Sequence, residues 1–450
     1  MSTSQTRNQT GSQFSDKFTH HTLGFHESET LSGSSSPINS PPISGLLNDQ
    51  EKVPIADILD QTDRGTSPKK EKAYPISLAY LEILQSYSKF QRHLSGSCAV
   101  KQSTNIDTSI GGERKPSTQY DRAKTLLMLC DFESSPVGNP VQRLVFHFAD
   151  ALWEKVERET GMKSLKPECI EGEADVDEVF KGYHPAVLAT YKAVPFAKLL
   201  QFTASQVIIS ALASATKIHL IDLEARTGMH WSMVMQSLSE RSKYPVELLK
   251  ITMVGDSGER MEETDMREEL FELDREESVP VFGPLVLRAL LVKPHCLEKM
   301  IRIIRNLCLD IMVLTEVEGK HNSPSFVNRF IEALFYYSAY FDSLDAFIEA
   351  ADSNRLAMEG TFMASAMRNM VVREGRERVI RNVGLDTWRL FLNREGFEEV
   401  EVSEDALYQA KLIVESYSHS DSVSLEMNGK AMTVGWKGTP LHSISAWRCF

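Results

Sequence analysis

The chain has 450 residues, 42% of them hydrophobic, which is enough apolar material for one large domain or two to three small ones. Its 62 acidic against 49 basic residues give a formal charge of -13, without the bulk basic excess that counterion-release binding to nucleic acid favours. Six cysteines with no C-x-x-C pair spell out neither a zinc nor a redox motif; the polar N-terminus and the lack of any long apolar run predict a soluble intracellular protein.

Residues 1–75 read as a disordered Ser/Pro-rich N-terminus: eleven serines fall in 1–44, with Ser36-Pro37 and Ser40-Pro41-Pro42, and few large apolar groups are present to offset ordering entropy. Within it, Ile55-Ala56-Asp57-Ile58-Leu59 reads as a nascent or a docking helix. Lys69-Lys70-Glu71-Lys72 reads as a solvated linker or a weak nuclear signal. Residues 76–122 predict a helix, marked by Leu78, Leu81, Leu84 and Tyr87, and then a flexible linker over 95–118.

From residue 123 the pattern is that of a folded domain. Asn139-Pro140 predicts a capped helix start, and Val141, Leu144, Val145, Phe148 and Leu152 form its apolar stripe up to a stop at Gly161. Further helices open at Pro185 and at Pro195, the latter through Leu199 and Leu200. Residues 123–215 therefore form a helical cap subdomain whose stripes serve as internal core or as a groove shared with another chain.

Residues 216–450 predict an α/β core. Strand 218–222 (Ile218, His219, Leu220, Ile221, Asp222) ends in a carboxylate and opens a polar turn through Gly228 to Trp231. Strand ends of this kind are where open α/β sheets place their sites. A helix at 230–240, a strand at 248–254, helices around 285–305 and a strand from Ile311 into Thr315-Glu316 follow. After Ser323-Pro324 comes an aromatic-rich helix. Asn428-Gly429 predicts a hairpin between 423–427 and 431–436, with a last strand near 444–449. The fold class expected is thus a mainly parallel, Rossmann-like sheet resembling class I methyltransferases, closed by an antiparallel hairpin.

The strand at 218–222 with its turn resembles the VHIID motif of plant GRAS transcriptional regulators, and Ser445-Ala446-Trp447 resembles their closing SAW motif. The stretch 138–144 and Phe196 to Ala211 resemble the first leucine-rich region; Glu316-Val317-Glu318, His321-Asn322-Ser323-Pro324 and Arg368-Asn369 resemble the PFYRE region and the segment leading into it. No DELLA-type sequence is present. The resemblance covers about 123–450 and implies a nuclear co-regulator that binds DNA-binding transcription factors and other GRAS proteins, touching DNA through them, with no membrane association. It also implies partner contacts at Val141, Leu144, Val145, Phe148, Leu152, Leu199 and Leu200. Three departures concern length and packing: the linker 95–118 stands where relatives carry an extra amphipathic helix before 123–130, a helix and a strand usual in relatives are missing between Val254 and Leu270, and Ile380 stands where relatives commonly carry Glu.

An enzyme reading finds little support. The turn after Asp222 has one glycine where a cofactor-cradling loop needs several, and no nucleophile elbow, metalloprotease helix or phosphate loop is spelled out. No catalytic residue, cofactor or metal is therefore expected; the alternatives are a small-molecule binder of the S-adenosylmethionine methyltransferase type, with Asp256 as ribose acid, and a cytoplasmic scaffold. His219 reads as a satisfied core histidine and Asp222 as a cap for its turn or a partner for a cation; Trp231, Trp436 and Trp447 read as core packing or as partner anchors.

Overall fold

The computed structural model describes the backbone of Phe18–Gly24 and residues 126–161, 185–224, 228–254 and 267–450. The expected helix at 76–94, the linker after it, the 55–59 pattern, the 69–72 cluster and Asp256 lie outside the described residues.

A nine-stranded mixed sheet organises the described residues. Its parallel part comprises β2 (Lys217–Asp222), β3 (Leu248–Val254), β4 (Pro280–Pro284) and β5 (Ile311–Val317), in the spatial order β3-β2-β4-β5. Beside β5 runs antiparallel β9 (Thr439–Cys449), followed by β8 (Ala431–Trp436) and β7 (Val423–Asn428); β6 (Phe397–Val400) pairs with the far half of β9. At the opposite edge, β1 (Phe18–Gly24) lies antiparallel against β3.

Three of these strands differ from expectation. β4 begins and ends in proline, so its short apolar run looks like punctuation in the sequence, yet proline at a strand's first residue breaks no ladder bond. β6 has only four residues, too few for a period-two signal. β1 falls within the stretch predicted disordered, because strand addition draws on main-chain hydrogen bonds, which composition does not register. β1 also occupies the sheet edge next to β3, where the short connection between Val254 and Leu270 had implied a missing strand.

Alternation along each strand separates two cores. Ile218 and Leu220 of β2, Val313 of β5 and Ala446 of β9 face one side. There they meet α1 (Pro140–Thr160), α3 (Pro195–Ala211), α4 (Met229–Ser239), α7 (Phe326–Phe347) and α11 (Glu404–Glu415). Ile221, Met312, Leu314 and Trp447 face the other side, against α5 (Leu287–Leu290), α6 (Pro294–Asn306) and α10 (Leu385–Arg394). α2 (Pro185–Ala193) precedes α3, while α8 (Ser353–Ala357) and α9 (Ala364–Val371) flank a π-helical turn at Met358–Met363.

α1 starts as its sequence dictates. Asn139 and Gln142 form a reciprocal capping box, Pro140 fills the first turn, and Gly161 ends the helix at φ 67°. The cap of α7 falls at Ser325, whose hydroxyl accepts from the Asn328 amide, rather than at Ser323. The helical part 126–215 shares one continuous core with the sheet: Leu144 and Phe148 of α1 belong to the same cluster as Ile218 and Val313.

Candidate functional site

Asp222 closes β2 with its carboxylate fully buried. One oxygen accepts the Trp231 indole N–H at 2.7 Å and the other accepts the Glu224 amide at 3.1 Å. Gly228, at the N-terminus of α4, has a φ of 61° that disfavours any residue with a side chain. Burial raises the Asp222 carboxyl to about 6 while the two hydrogen bonds pull it down. His230 stands 3.8 Å away, tilted against Trp231 and Phe282, and burial lowers its imidazole to about 4, so it is neutral near pH 7. The VHIID-like strand end is thus a clamp: the carboxylate ties its own turn to the first helical residues of α4. His219, on the other face of β2, is enclosed with Nδ1 3.1 Å from Glu277 and Nε2 2.7 Å from Thr252.

A second acidic pair ends β5. Glu316 accepts the Leu287 amide at 3.0 Å, and Glu318 accepts the Leu385 amide at 3.1 and 3.2 Å. Leu287 and Leu385 are the first residues of α5 and α10, so the C-terminal end of β5 supplies carboxyl oxygens to the N-termini of two helices. Gly384 makes room for this, since a Cβ there would come within 2.9 Å of the Glu318 oxygen. Burial is the main cause that pushes Glu316 up to about 8, against the pull of Arg288, and Glu318 to about 7. Next to this pair, His321 bonds Asn382 at 3.0 Å and lies against Tyr336, while His442 lies against Tyr340. Burial holds these two imidazoles at about 4 and about 3. Among the described residues no group of three or more His, Cys, Asp or Glu is placed to hold a metal ion.

Of the seven residues expected at partner contacts, four lie inside the chain. Leu144, Phe148, Leu199 and Leu200 are buried in the chain's own core; Phe148, for example, packs edge-on against Phe330 at 5.3 Å. Val141, Val145 and Leu152 are half-buried. The stripe that reads as a docking face is internal because α7 and α9 return from far along the chain to cover it. The apolar surface of this region lies elsewhere: Phe132 is 78% exposed and Met128 61%, followed by Val137 and Phe146. The helical stretch 126–133 is fastened to α1 by a 2.8 Å bond from the Trp153 indole to Asp131. Met128 and Phe132, four apart, are the signal that sequence reading passed over.

It also passed over Arg143. This fully buried residue bonds Glu359 at 3.1 and 3.2 Å, Asp345 at 2.9 Å and the Gly138 carbonyl at 2.8 Å. Arg355 joins the network through Asp345 at 3.1 Å. Glu359 lies in the π-helical turn, which inserts an extra residue into the helix that carries it.

Trp436 and Trp447 are core residues, so neither presents a ring to a partner. Trp436 donates to Asp342 at 2.6 Å; Trp447 donates to Ser445 at 2.9 Å, two residues back on the same strand face, with Ala446 buried between them. Asn369, in the PFYRE-like segment, bonds the carbonyl of Ile380 and the amide of Val379, so this backbone is held whatever side chain stands at 380.

The profile of the GRAS domain family matches residues 116–271 and 264–448. Among curated proteins, the DELLA protein RGL1 of Arabidopsis thaliana is 31% identical over 57% of the chain and 55% of its own length. The DELLA protein GAIP of Cucurbita maxima is 26% identical over 72% of the chain and 59% of its own length. The chain thus spans little more than half the length of these relatives. Among solved structures, the crystal structure of SCL7 in Oryza sativa superposes with a TM-score of 0.63 at 24% identity, over 74% of this chain and 100% of that one.

Proposed function

From the premise that the chain belongs to the GRAS domain family, we propose that it is a nuclear transcriptional co-regulator that binds DNA-binding transcription factors and other GRAS proteins and reaches DNA through them. One observation carries the reading: the strand-end carboxylates at Asp222, Glu316 and Glu318 are engaged with the chain's own amides and indole, whereas Met128, Phe132, Val137 and Phe146 turn apolar surface outward. Acid–base chemistry needs groups within reach of a substrate; partner binding needs exposed apolar anchors. The formal charge of -13 favours recruitment through partners over direct contact with phosphates. The parallel run β3-β2-β4-β5 with its antiparallel extension supports kinship with the methyltransferase plan, without the glycine-rich turn that would cradle a cofactor.

The test is capture of a DNA-binding factor from nuclear extract by the purified chain, with identification of what is bound. Phe132→Glu with Phe146→Glu should abolish capture and leave the melting temperature unchanged, whereas Tyr408→Glu on the exposed face of α11 should retain it. Saturable micromolar binding of S-adenosylmethionine in calorimetry would overturn the reading in favour of a small-molecule binder. Exclusion of a fluorescent fusion from the nucleus would favour a cytoplasmic scaffold.

A further inference from the structure

We propose that Cys308 and Cys449 form a peroxide-sensitive modification site, closing on oxidation into a disulfide that staples the end of β9 to the turn between α6 and β5. Cys308 is exposed, follows the C-cap of α6 and has a φ of 52°. Glycine is the usual occupant of that left-handed position, so the helix end gives no reason for a thiol there. The Cys308 amide donates to the Arg305 carbonyl at 3.3 Å. The half-buried Cys449 thiol donates to the same carbonyl oxygen at 3.7 Å, which brings both cysteines to one point of the fold. Pairing of Trp447 with Met312, a 3.1 Å bond from Arg448 to the Asp310 carbonyl, and Phe397 opposite Cys449 hold the end of β9 against this turn. Burial is the main cause that raises the Cys449 thiol, and the neighbouring Cys308 adds to it. Cys296 is buried near the start of α6, about 18 Å away along the helix axis, and does not compete.

The exposed thiol is the one a dissolved oxidant meets first. The Cys308 sulfur attacks one oxygen of hydrogen peroxide: an S–O bond forms, the O–O bond breaks, and the thiol proton leaves with the departing oxygen as water, giving a sulfenic acid. The Cys449 sulfur then attacks that of Cys308: the S–S bond forms, the S–O bond breaks, and a second water leaves with the Cys449 proton. Peroxide is reduced to water, and two thiols are oxidised to one disulfide. Cys308 Sγ rests 3.7 Å from the Asn306 carbonyl, so bridging turns an exposed side chain away from its own turn. The bridge closes a loop from 308 to 449, which restricts the unfolded chain and fastens the strand that joins the two halves of the sheet. In a reducing compartment the pair returns to thiols, so the staple lasts as long as the oxidant does.

The experiment treats the purified full chain with hydrogen peroxide, caps free thiols with N-ethylmaleimide and maps linked peptides by mass spectrometry without reductant. Cys308 should be found joined to Cys449 within one chain, and dithiothreitol should restore both thiols. The bridged chain should melt on the order of 5 °C above the reduced one. Cys308→Ser should melt like the reduced parent with or without peroxide; its exposed position guards against a Cys449 variant that fails to fold. In Cys449→Ser, Cys308 lacks its resolving partner and should be recovered as a sulfenic acid trapped by dimedone. Joining of Cys308 to a different cysteine, or to a second chain, would overturn the proposal. So would recovery of Cys308 as a sulfinic acid beside a free Cys449 in the parent, or an unchanged melting temperature in the bridged chain.

Discussion

At Arg143 the guanidinium and the Glu359 carboxylate are both withdrawn from water, with Asp345 and the main-chain carbonyls of Gly138 and Phe341 accepting further N–H groups. Deleting one member of such a pair strands its partner, whereas replacing both with apolar groups of similar shape does not. Arg143→Met is expected to destabilise by about 3–5 kcal/mol, and Arg143→Met with Glu359→Met to recover most of that loss in chemical denaturation. A double variant no more stable than the single one would mean that the pair itself, rather than the stranded charge, carries the stability. Trp447→Ala, which empties a fully buried site on β9, should cost about 3–5 kcal/mol and lower solubility before it alters any one interaction. A parental melting temperature for that variant would sink the assignment of Trp447 to the core. These two residues differ in legibility. Tryptophan on an apolar strand is announced by its type, but an arginine between Gln142 and Leu144 reads as a solvated helix residue until Glu359, far along the chain, is seen to cover it.

Helix ends were the most legible elements because their signals are local. Asn139, Pro140 and Gln142 sit within four residues, and the capping box they form is present. Asn139→Ala should cost about 1 kcal/mol, measured by thermal melting, since the Gln142 amide then loses its acceptor. The strands of the parallel core were legible where they are long and apolar, as at 217–222 and 311–317, and the Asn428-Gly429 turn placed the hairpin correctly, with φ of 61° at Gly429. β4 and β6 were not, because what makes them strands is pairing with distant segments, β4 between β2 and β5 and β6 along β9. The apolar stripe of α1 was legible as a stripe, while the choice between internal core and a groove shared with another chain was not. Periodicity reports that a face is covered and never by what; α7 and α9 are the covers, and both follow α1 by well over a hundred residues in the chain.

Across the whole molecule, burial sets two opposing pH responses. Glu316 and Glu318, raised from 4.5 to about 8 and about 7, keep protons that the unfolded chain has released, so the folded state binds more protons and stability falls as pH rises through that window. His230, His321 and His442, lowered from 6.5 to between about 3 and about 4, bind fewer protons than in the unfolded chain, so stability falls as pH drops below 6.5. Between pH 6.5 and 8 the carboxyls act alone. Glu316→Gln, which keeps an oxygen for the Leu287 amide, should remove part of the alkaline decline, up to about 1.4 kcal/mol per pH unit, in urea melts at pH 6.5, 7 and 8. Parallel curves for parent and variant would refute it. The acidic end of β5 was visible in sequence as Glu316-Val317-Glu318; its role at two helix starts was not, because α5 and α10 lie on either side of it in the chain.

The position of β9 bears on how the chain is made. β9 follows every other strand in sequence, yet it lies between β5 on one side and β8 and β6 on the other. During synthesis the antiparallel β7-β8 ribbon emerges with nothing to join it to the parallel half, and β5 presents an unsatisfied apolar edge until the last strand clears the ribosome. The sheet therefore closes only after translation of this region is finished, and a ribosome that stalls or terminates before residue 439 releases two half-sheets with sticky edges. Such fragments are natural substrates for chaperones and proteases, so the fold makes synthesis through Cys449 a condition of persistence.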